Sequence, residues 1–340
     1  MKILFIGGTG TISTAITNLL PTLGHQLTLL NRGNNNDQIP ENVEVIIGDI
    51  YNEADIAQKL SGKFFDVVVN FIAFDVKALE RDYRLFKDIT NQYVFISSAS
   101  SYQKPPVNPI ITESTPLKNP YWGYSRNKAL CEDYLINRYL EDGFPITIVR
   151  PSHTYGDTNI PLALHGNNGS WQTMKRMIEG KSVLIPGDGT SLWTVTHNSD
   201  FAIGFIGLLG NIHAIGQTFH ITNEEHLTWT QIHEIIARQL GVKLRPLFVP
   251  SDLLAHAGKK YGYDFEGALL GDKANTVIFD NSKIKKAVPN FNPSIRFDQA
   301  MEHNVKYYLD NKEMQIIDED YEAFCEEVTA VMQEAFRKFD

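Results

Sequence analysis

Two short segments of the chain hold residues whose types and spacing suit proton chemistry. In Tyr124-Ser125-Arg126-Asn127-Lys128 a tyrosine and a lysine stand four apart, which on a helix puts them on one face. A free phenol titrates near pH ~10, too high to accept a proton at neutral pH. A neighbouring ammonium favours the phenolate and brings that value down. The apolar run Val94-Phe95-Ile96 ends in Ser97-Ser98. From there Ser98 can hydrogen-bond the same substrate oxygen that Tyr124 protonates. Serines at a strand end also serve simply as turn formers, and chance Tyr-x-x-x-Lys pairs are common. The constellation gains its meaning from its company.

That company begins at Ile3-Leu4-Phe5-Ile6-Gly7-Gly8-Thr9-Gly10-Thr11-Ile12-Ser13, an apolar strand running through glycines into a helix. Glycines let the backbone turn sharply and approach a pyrophosphate, and a helix N-terminus offers free N–H groups to the anion. Gly8-x-Gly10-x-x-Ser13 departs from the dinucleotide pattern only at the third glycine, where a small serine can keep helix and strand close. The next strand ends in Leu30-Asn31-Arg32-Gly33, without the acidic residue that would bond the ribose 2′-OH of NAD. Arg32 suits a 2′-phosphate instead, so the expected cofactor is NAD or NADP, with NADP favoured. The same arginine serves equally well as a solvated loop residue. Asp49, after Val45-Ile46-Ile47-Gly48, is placed to reach an adenine amino group.

The elements that must position these groups alternate through the first half. Strands are expected at Lys2–Ile6, Gln26–Leu30, Val43–Ile47, Val67–Ile72, Tyr93–Ser97 and Ile146–Arg150. None alternates cleanly, as expected when both faces of a parallel sheet are covered. Ile12, Ile16, Leu19, Leu20 and Leu23 line one face of a first helix, in which Pro21 should cause a kink or an early end. Leu130, Tyr134 and Leu135 form the stripe of a later helix. The predicted fold is α/β, a Rossmann-type doubly wound parallel sheet with a smaller C-terminal substrate-binding lobe. The NAD(P)-binding domain is expected over residues 1–156 and the smaller lobe over 157–310, with some segments returning to the first domain. An amphipathic helical tail follows over 311–340, where Tyr321, Phe324, Val328, Val331 and Met332 recur at helical spacing.

Composition bounds the rest. With 43% hydrophobic and 21% charged residues the chain is an ordinary globular one. Its net charge of −9 repels nucleic-acid phosphate. No apolar stretch approaches the ~20 residues of a membrane helix, and the N-terminal apolar run is too short for a signal-peptide core. The two cysteines, Cys131 and Cys325, lie far apart, and no histidine shows metal-ligand spacing. A cytoplasmic protein is expected, with a small-molecule substrate, no metal, no nucleic-acid or membrane partner, and a homodimer as an open possibility.

Taken together, these motifs resemble the extended short-chain dehydrogenase/reductase superfamily, also called the NAD-dependent epimerase/dehydratase family, over roughly residues 1–310. The likeness rests on the glycine loop, Gly48-Asp49-Ile50, Asn70-Phe71-Ile72-Ala73, and Ser98 four residues before Tyr102. It continues through Tyr124/Lys128 with Glu132, Arg150-Pro151 ahead of Tyr155-Gly156, and Pro186-Gly187-Asp188-Gly189 ahead of Asp200. The resemblance implies that Ser98, Tyr124 and Lys128 are catalytic and that the nicotinamide C4 takes or gives a hydride. It implies cofactor contacts from Gly7, Thr9, Gly10, Thr11, Ile12, Asn31, Arg32, Asp49, Ile50, Phe71 and Lys128. Two positions that grip the diphosphate in nucleotide-sugar members are changed: an asparagine is His153 and an arginine is Trp193. Losing that arginine removes a charge-assisted contact. A nucleotide sugar is therefore disfavoured, unless another cation such as Arg176 compensates, and Trp193 serves equally as lobe packing. The expected function is reduction, epimerisation or dehydration at a hydroxyl or carbonyl carbon of a sugar-like or small carbonyl compound. The alternatives are a non-catalytic NAD(P) sensor and an RNA-associated protein.

Overall fold

Alternate residues of the N-terminal strand face opposite ways and both ways are buried. Ile3 and Phe5 pack with Ile16 and Leu20 of one helix layer, while Leu4 and Ile6 pack with Ile56, Leu79 and Leu135 of another. A strand covered on both faces has no polar positions to alternate with, which accounts for its continuous apolar run. The computed structural model describes residues 1–339. Its main sheet contains β1 (Lys2–Ile6), β2 (Gln26–Asn31), β3 (Glu44–Ile47), β4 (Val67–Asn70), β5 (Tyr93–Ile96), β6 (Ile146–Pro151) and β7 (Gln217–Ile221). Their spatial order is β7-β6-β5-β4-β1-β2-β3, and every pairing is parallel. The strand order reverses between β1 and β4, and ligands of such sheets bind beyond the strand ends at that switch point.

The helices in chain order are α1 (Thr11–Thr22), α2 (Glu53–Lys59), α3 (Val76–Phe86), α4 (Gly123–Asp142), α5 (Trp171–Ile178) and α6 (Asn198–Ile206). They continue as α7 (Trp229–Gln239), α8 (Ser251–Lys260), α9 (Ser282–Ala287), α10 (Phe297–Asp310) and α11 (Glu319–Arg337). The sheet is sandwiched by α1 and α6 on one face and by α2, α3 and α4 on the other. A second core, with Met174, Trp193, Trp229, Ile236 and Met301, joins α5, α7 and α10. Residues Glu266–Lys273 form a π-helix, a rare element. α11 buries Tyr321, Phe324 and Val328 against Leu254, Phe265 and Leu269.

Both expected apolar helix stripes are revised in the structure. Pro21 ends α1 early rather than kinking it: the helix stops at Thr22, and Gly24 turns the chain at φ +78°. Leu23 therefore lies beyond the helix and is 53% exposed, outside the expected apolar face. On α4 the buried face is Ser125, Lys128, Cys131, Glu132 and Leu135, while Leu130 points outward. That face carries two charges, so a hydropathy stripe does not mark it.

One of those charges locks α4 to the sheet. Glu132 is fully buried and accepts hydrogen bonds from Arg150 Nε (2.9 Å), Arg150 Nη2 (2.5 Å) and Ser97 Oγ (2.5 Å). Burial opposes the charge on Arg150, but the bonds and charge of Glu132 outweigh it and raise the guanidinium pKa. Removing one partner of such a pair leaves an uncompensated buried ion, at a cost of about 3–5 kcal/mol. Glu132→Ala should therefore lose stability of that order in urea unfolding, and the double variant Glu132→Leu/Arg150→Met should recover most of it.

Candidate functional site

The glycine loop forms one end of a cleft over the sheet. Gly7 and Gly8 take φ +94° and +111°, conformations that a side chain rarely adopts. A Cβ on Gly8 would lie 2.8 Å from Leu29 Cδ2, and one on Gly7 would lie 3.2 Å from Ile72 Cγ2. Gly10 caps α1, and Ser13 Oγ bonds both its N–H (3.0 Å) and its C=O (3.2 Å). The serine at the third position thus ties the turn to the helix. Thr17 Oγ1 donates to Gly8 O (2.7 Å), and Asn198 Nδ2 of α6 donates to Thr11 O (2.9 Å). No acidic side chain sits in the first turn of α1, where free N–H groups favour an anion.

From this loop a cavity of about 340 Å³ runs past Gly7, Thr9, Asn31, Arg32, Asp49 and Ile50, with Tyr51, Ile72 and Phe74 along its wall. Asn31 folds the loop after β2 by donating to Asn36 Oδ1 (2.9 Å) and accepting from Gly33 N (2.9 Å). Arg32 is exposed at the rim. A cradle that a Cβ would fill, a bare helix N-terminus and an aromatic-walled slot fit a dinucleotide. Gly7, Thr9, Asn31, Arg32, Asp49 and Ile50 line the slot, and Gly10, Thr11 and Ile12 build the helix start. The Phe71 ring turns into the core against Phe5 (5.0 Å) and Phe205 (6.0 Å), while its Cβ stays beside Gly7. Tyr51, Ile72 and Phe74 carried no signal in the sequence beyond their nearness to Asp49 and Asn70.

Beyond Phe74 the slot meets Tyr124 and Lys128. The Phe74 and Tyr124 rings are 6.4 Å apart, and Lys128 Nζ lies 4.7 Å from the Phe74 ring and 5.8 Å from the Tyr124 ring. Lys128 is buried and donates to Ala73 O and Ile96 O, both at 2.7 Å. Burial pulls its pKa down to about 8, which leaves it mostly protonated at pH 7. Burial pushes the Tyr124 phenol up, the Ser98 hydroxyl bond draws it down, and the charge of Asp272 pushes it up again. Ser98 Oγ also bonds Ser100 Oγ (2.8 Å), which accepts from Ser125 Oγ (2.7 Å). The same Ser98 oxygen caps the turn Ala99–Ser101 by accepting from Ser100 N (3.2 Å), so the turn-forming and chemical readings describe one side chain.

Ser98 and Tyr124 open on a separate pocket of about 300 Å³, lined also by Ala99, Ser100, Trp122, Pro151, Ser152, His153, Asp272 and Phe279. His153 is half-buried on its wall; burial and the charge of nearby Lys273 push its imidazolium pKa down to about 3. It is neutral at pH 7. Trp122, Asp272 and Phe279 were missed in the sequence, the last two because they lie more than a hundred residues from Tyr124 along the chain.

A parallel sheet with a glycine loop at its switch point and a Ser/Tyr/Lys group beside it defines a Rossmann-fold, dinucleotide-type protein. The sequence matches the profile of the NAD dependent epimerase/dehydratase family over residues 3–222, and the chain belongs to that family. The chloroplast stem-loop binding protein of 41 kDa b from Arabidopsis thaliana is 26% identical over 255 residues. That alignment covers 71% of this chain and 63% of the plant protein. The fold resembles UDP-glucuronic acid 4-epimerase from Bacillus cereus, solved with UDP-glucuronic acid and NAD (TM-score 0.72, 19% identity, 91% of this chain and 99% of that one). It also resembles dTDP-glucose 4,6-dehydratase from Bacillus anthracis, solved with NAD (TM-score 0.73, 20% identity, 92% and 98%).

Two residues considered for substrate contact have other partners. Trp193 is 2% exposed and stacks on Trp229 at 5.6 Å, a packing role. Arg176 is 1% exposed; it donates to Glu322 (2.8 Å) and Glu326 (2.7 Å) of α11 and to Ser182 O (3.0 Å). It clasps the C-terminal helix and does not line the pocket. His197 and His220 are likewise structural, bonded to Asp157 (3.1 Å) and to Tyr102 (3.0 Å).

The clasp is pH-sensitive. Burial pushes the Glu322 carboxyl up, but bonds from Lys181, Gln172 and Arg176 overcome this and hold its pKa at about 2, against an ordinary 4.5. A carboxylate with a depressed native pKa adds stability that is full above its unfolded value and is lost as pH falls through the native one. Native protein should therefore be more stable than Glu322→Gln at pH 7. In thermal melts the gap should close between about pH 4.5 and 2.

Proposed function

We propose that the protein is an NAD(P)-dependent enzyme that reduces, epimerises or dehydrates at a hydroxyl or carbonyl carbon of a sugar-like or small carbonyl substrate. The observation that carries this reading is that Ser98 and Tyr124 line one pocket while the buried Lys128 ammonium lies 5.8 Å from the Tyr124 ring and 4.7 Å from Phe74, which walls the slot. The bound nicotinamide would supply or take the hydride. Tyr124 Oη moves the proton on the substrate oxygen, and Ser98 holds that oxygen in line. The Lys128 ammonium stabilises the phenolate form, countering the burial that favours the phenol. The hydroxyl row Ser98–Ser100–Ser125 ends at a fully buried serine and holds Ser98 Oγ in place beside the pocket.

Arg32 at the rim supports NADP as the cofactor, because an arginine fork suits a phosphate and no carboxylate stands at the end of β2. Association with RNA is opposed by the net charge of −9, although the plant relative's name states stem-loop binding.

Tyr124→Phe should lower the turnover of an identified carbonyl substrate by about 10²–10⁴-fold while leaving cofactor affinity by calorimetry nearly unchanged. Most of the activity surviving would overturn the mechanism. Arg32→Ala should weaken NADPH by about 1–3 kcal/mol and leave NADH unaffected. Equal losses for both would remove the case for NADP.

A further inference from the structure

The pocket beside Tyr124 has one ionisable wall group that the proton chemistry does not use. Asp272 lies in the last turn of the π-helix, and its side chain is 18% exposed on the pocket. Among the described residues its single ion-pair partner is Lys104, whose ammonium is 3.4 Å away and whose side chain is 1% exposed. The cation is sealed behind the carboxylate, and the carboxylate oxygens are what a ligand meets. No lysine or arginine lines the pocket.

The backbone is built to deliver this residue. Gly267 and Gly271 present a bare face of the π-helix to Trp122. A Cβ on Gly267 would collide with Trp122 Cδ1, and one on Gly271 would lie 3.1 Å from Trp122 Cβ. Asn119 Nδ2 donates to both Ser100 O (2.7 Å) and Gly271 O (2.6 Å), which stitches the π-helix to the serine turn. Trp122 in turn packs 5.2 Å from the Tyr124 ring. π-helical segments recur at functional sites, where the wider turn redirects a side chain.

We propose that Asp272 is a specificity-determining residue that accepts hydrogen bonds from hydroxyls of an uncharged polyhydroxylated ring and turns away anionic ligands. This rests on the proposed function and deepens it. Tyr124 and Ser98 take the reacting oxygen, Asp272 takes neighbouring hydroxyls, and Trp122 and Phe279 offer faces to the C–H side of the ring. An anionic substituent entering the same space meets carboxylate oxygens and no donor of positive charge, so it is left unpaired in a partly dry pocket.

The test uses the full chain, with NADP⁺ or NAD⁺ and without, titrated calorimetrically with glucose, galactose, glucuronate, galacturonate and UDP-glucose. Native protein should bind at least one neutral sugar about tenfold or more tightly than its uronate and than UDP-glucose. Asp272→Asn should erase that preference, and Asp272→Ala should also weaken the neutral sugar. Because either change strands Lys104, the double variant Lys104→Met/Asp272→Asn repeats the measurement in a relieved background. Unchanged discrimination in the variants, tighter binding of the acids by native protein, or no sugar bound at all would overturn the assignment. Failure of both cofactors to bind would instead overturn the reading of the enzyme class, which the sugar titrations without cofactor keep separate.

Discussion

The buried pair of Glu132 and Arg150 is the constraint on which the rest of the site depends. It joins the helix that carries Tyr124 and Lys128 to the last strand of the N-terminal run, and Ser97 Oγ completes it from the neighbouring strand. Ser97 adjoins Ser98, Glu132 lies one helical turn past Lys128, and Arg150 precedes the pocket residues Pro151, Ser152 and His153. Arg150 further donates to Glu113 O and covers the Tyr102 ring at 4.7 Å. A buried ion pair seldom gains net stability over an apolar one, but it demands one register. Here that register places a phenol, an ammonium and a serine hydroxyl on one common frame.

The second tier of support comes from the far half of the chain. Asn198 holds the start of α1 through Thr11 O, and Asp200 on the same helix accepts from the amides of Ser294 and Ile295. Asn304 of α10 donates to Gly156 O and Asn159 O, which fixes the exit from the sheet. These contacts are single asparagine and aspartate side chains serving backbone groups. Each satisfies polar atoms that would otherwise be buried bare.

The sheet was legible because its strands are covered on both faces and so announce themselves as apolar runs. The six strands expected before residue 151 agree with the structure within two residues at each end. β7 was not foreseen, since Gln217-Thr218-Phe219-His220-Ile221 mixes polar with apolar and follows a glycine-rich stretch. The slot residues were legible where geometry dictates type: Gly7, Gly10 and the end of β2. The inward direction of the Phe71 ring was not legible, since a family segment marks a residue's place and not where its side chain turns. Arg176 and Trp193 stayed open in the sequence because charge and aromaticity show chemistry but not direction. Arg176 is consumed by two glutamates some 146–150 residues away, a pairing that no local pattern encodes. Asp272 was invisible for the converse reason, since a single aspartate becomes informative only when a π-helix turns it toward the tyrosine.

The position of β7 carries a consequence for how this architecture can be divided. The strand lies after the first segments of the smaller lobe in sequence, yet pairs with β6 in the dinucleotide sheet, while α6 covers the face of α1. The two lobes are therefore interleaved rather than modular. A fragment cut near residue 156 would expose the edge of β6, all six of whose residues are buried, as a ready template for intermolecular pairing. Exchange of the smaller lobe between relatives must therefore splice at several points. Each junction has to carry back the strand and helix that belong to the other half.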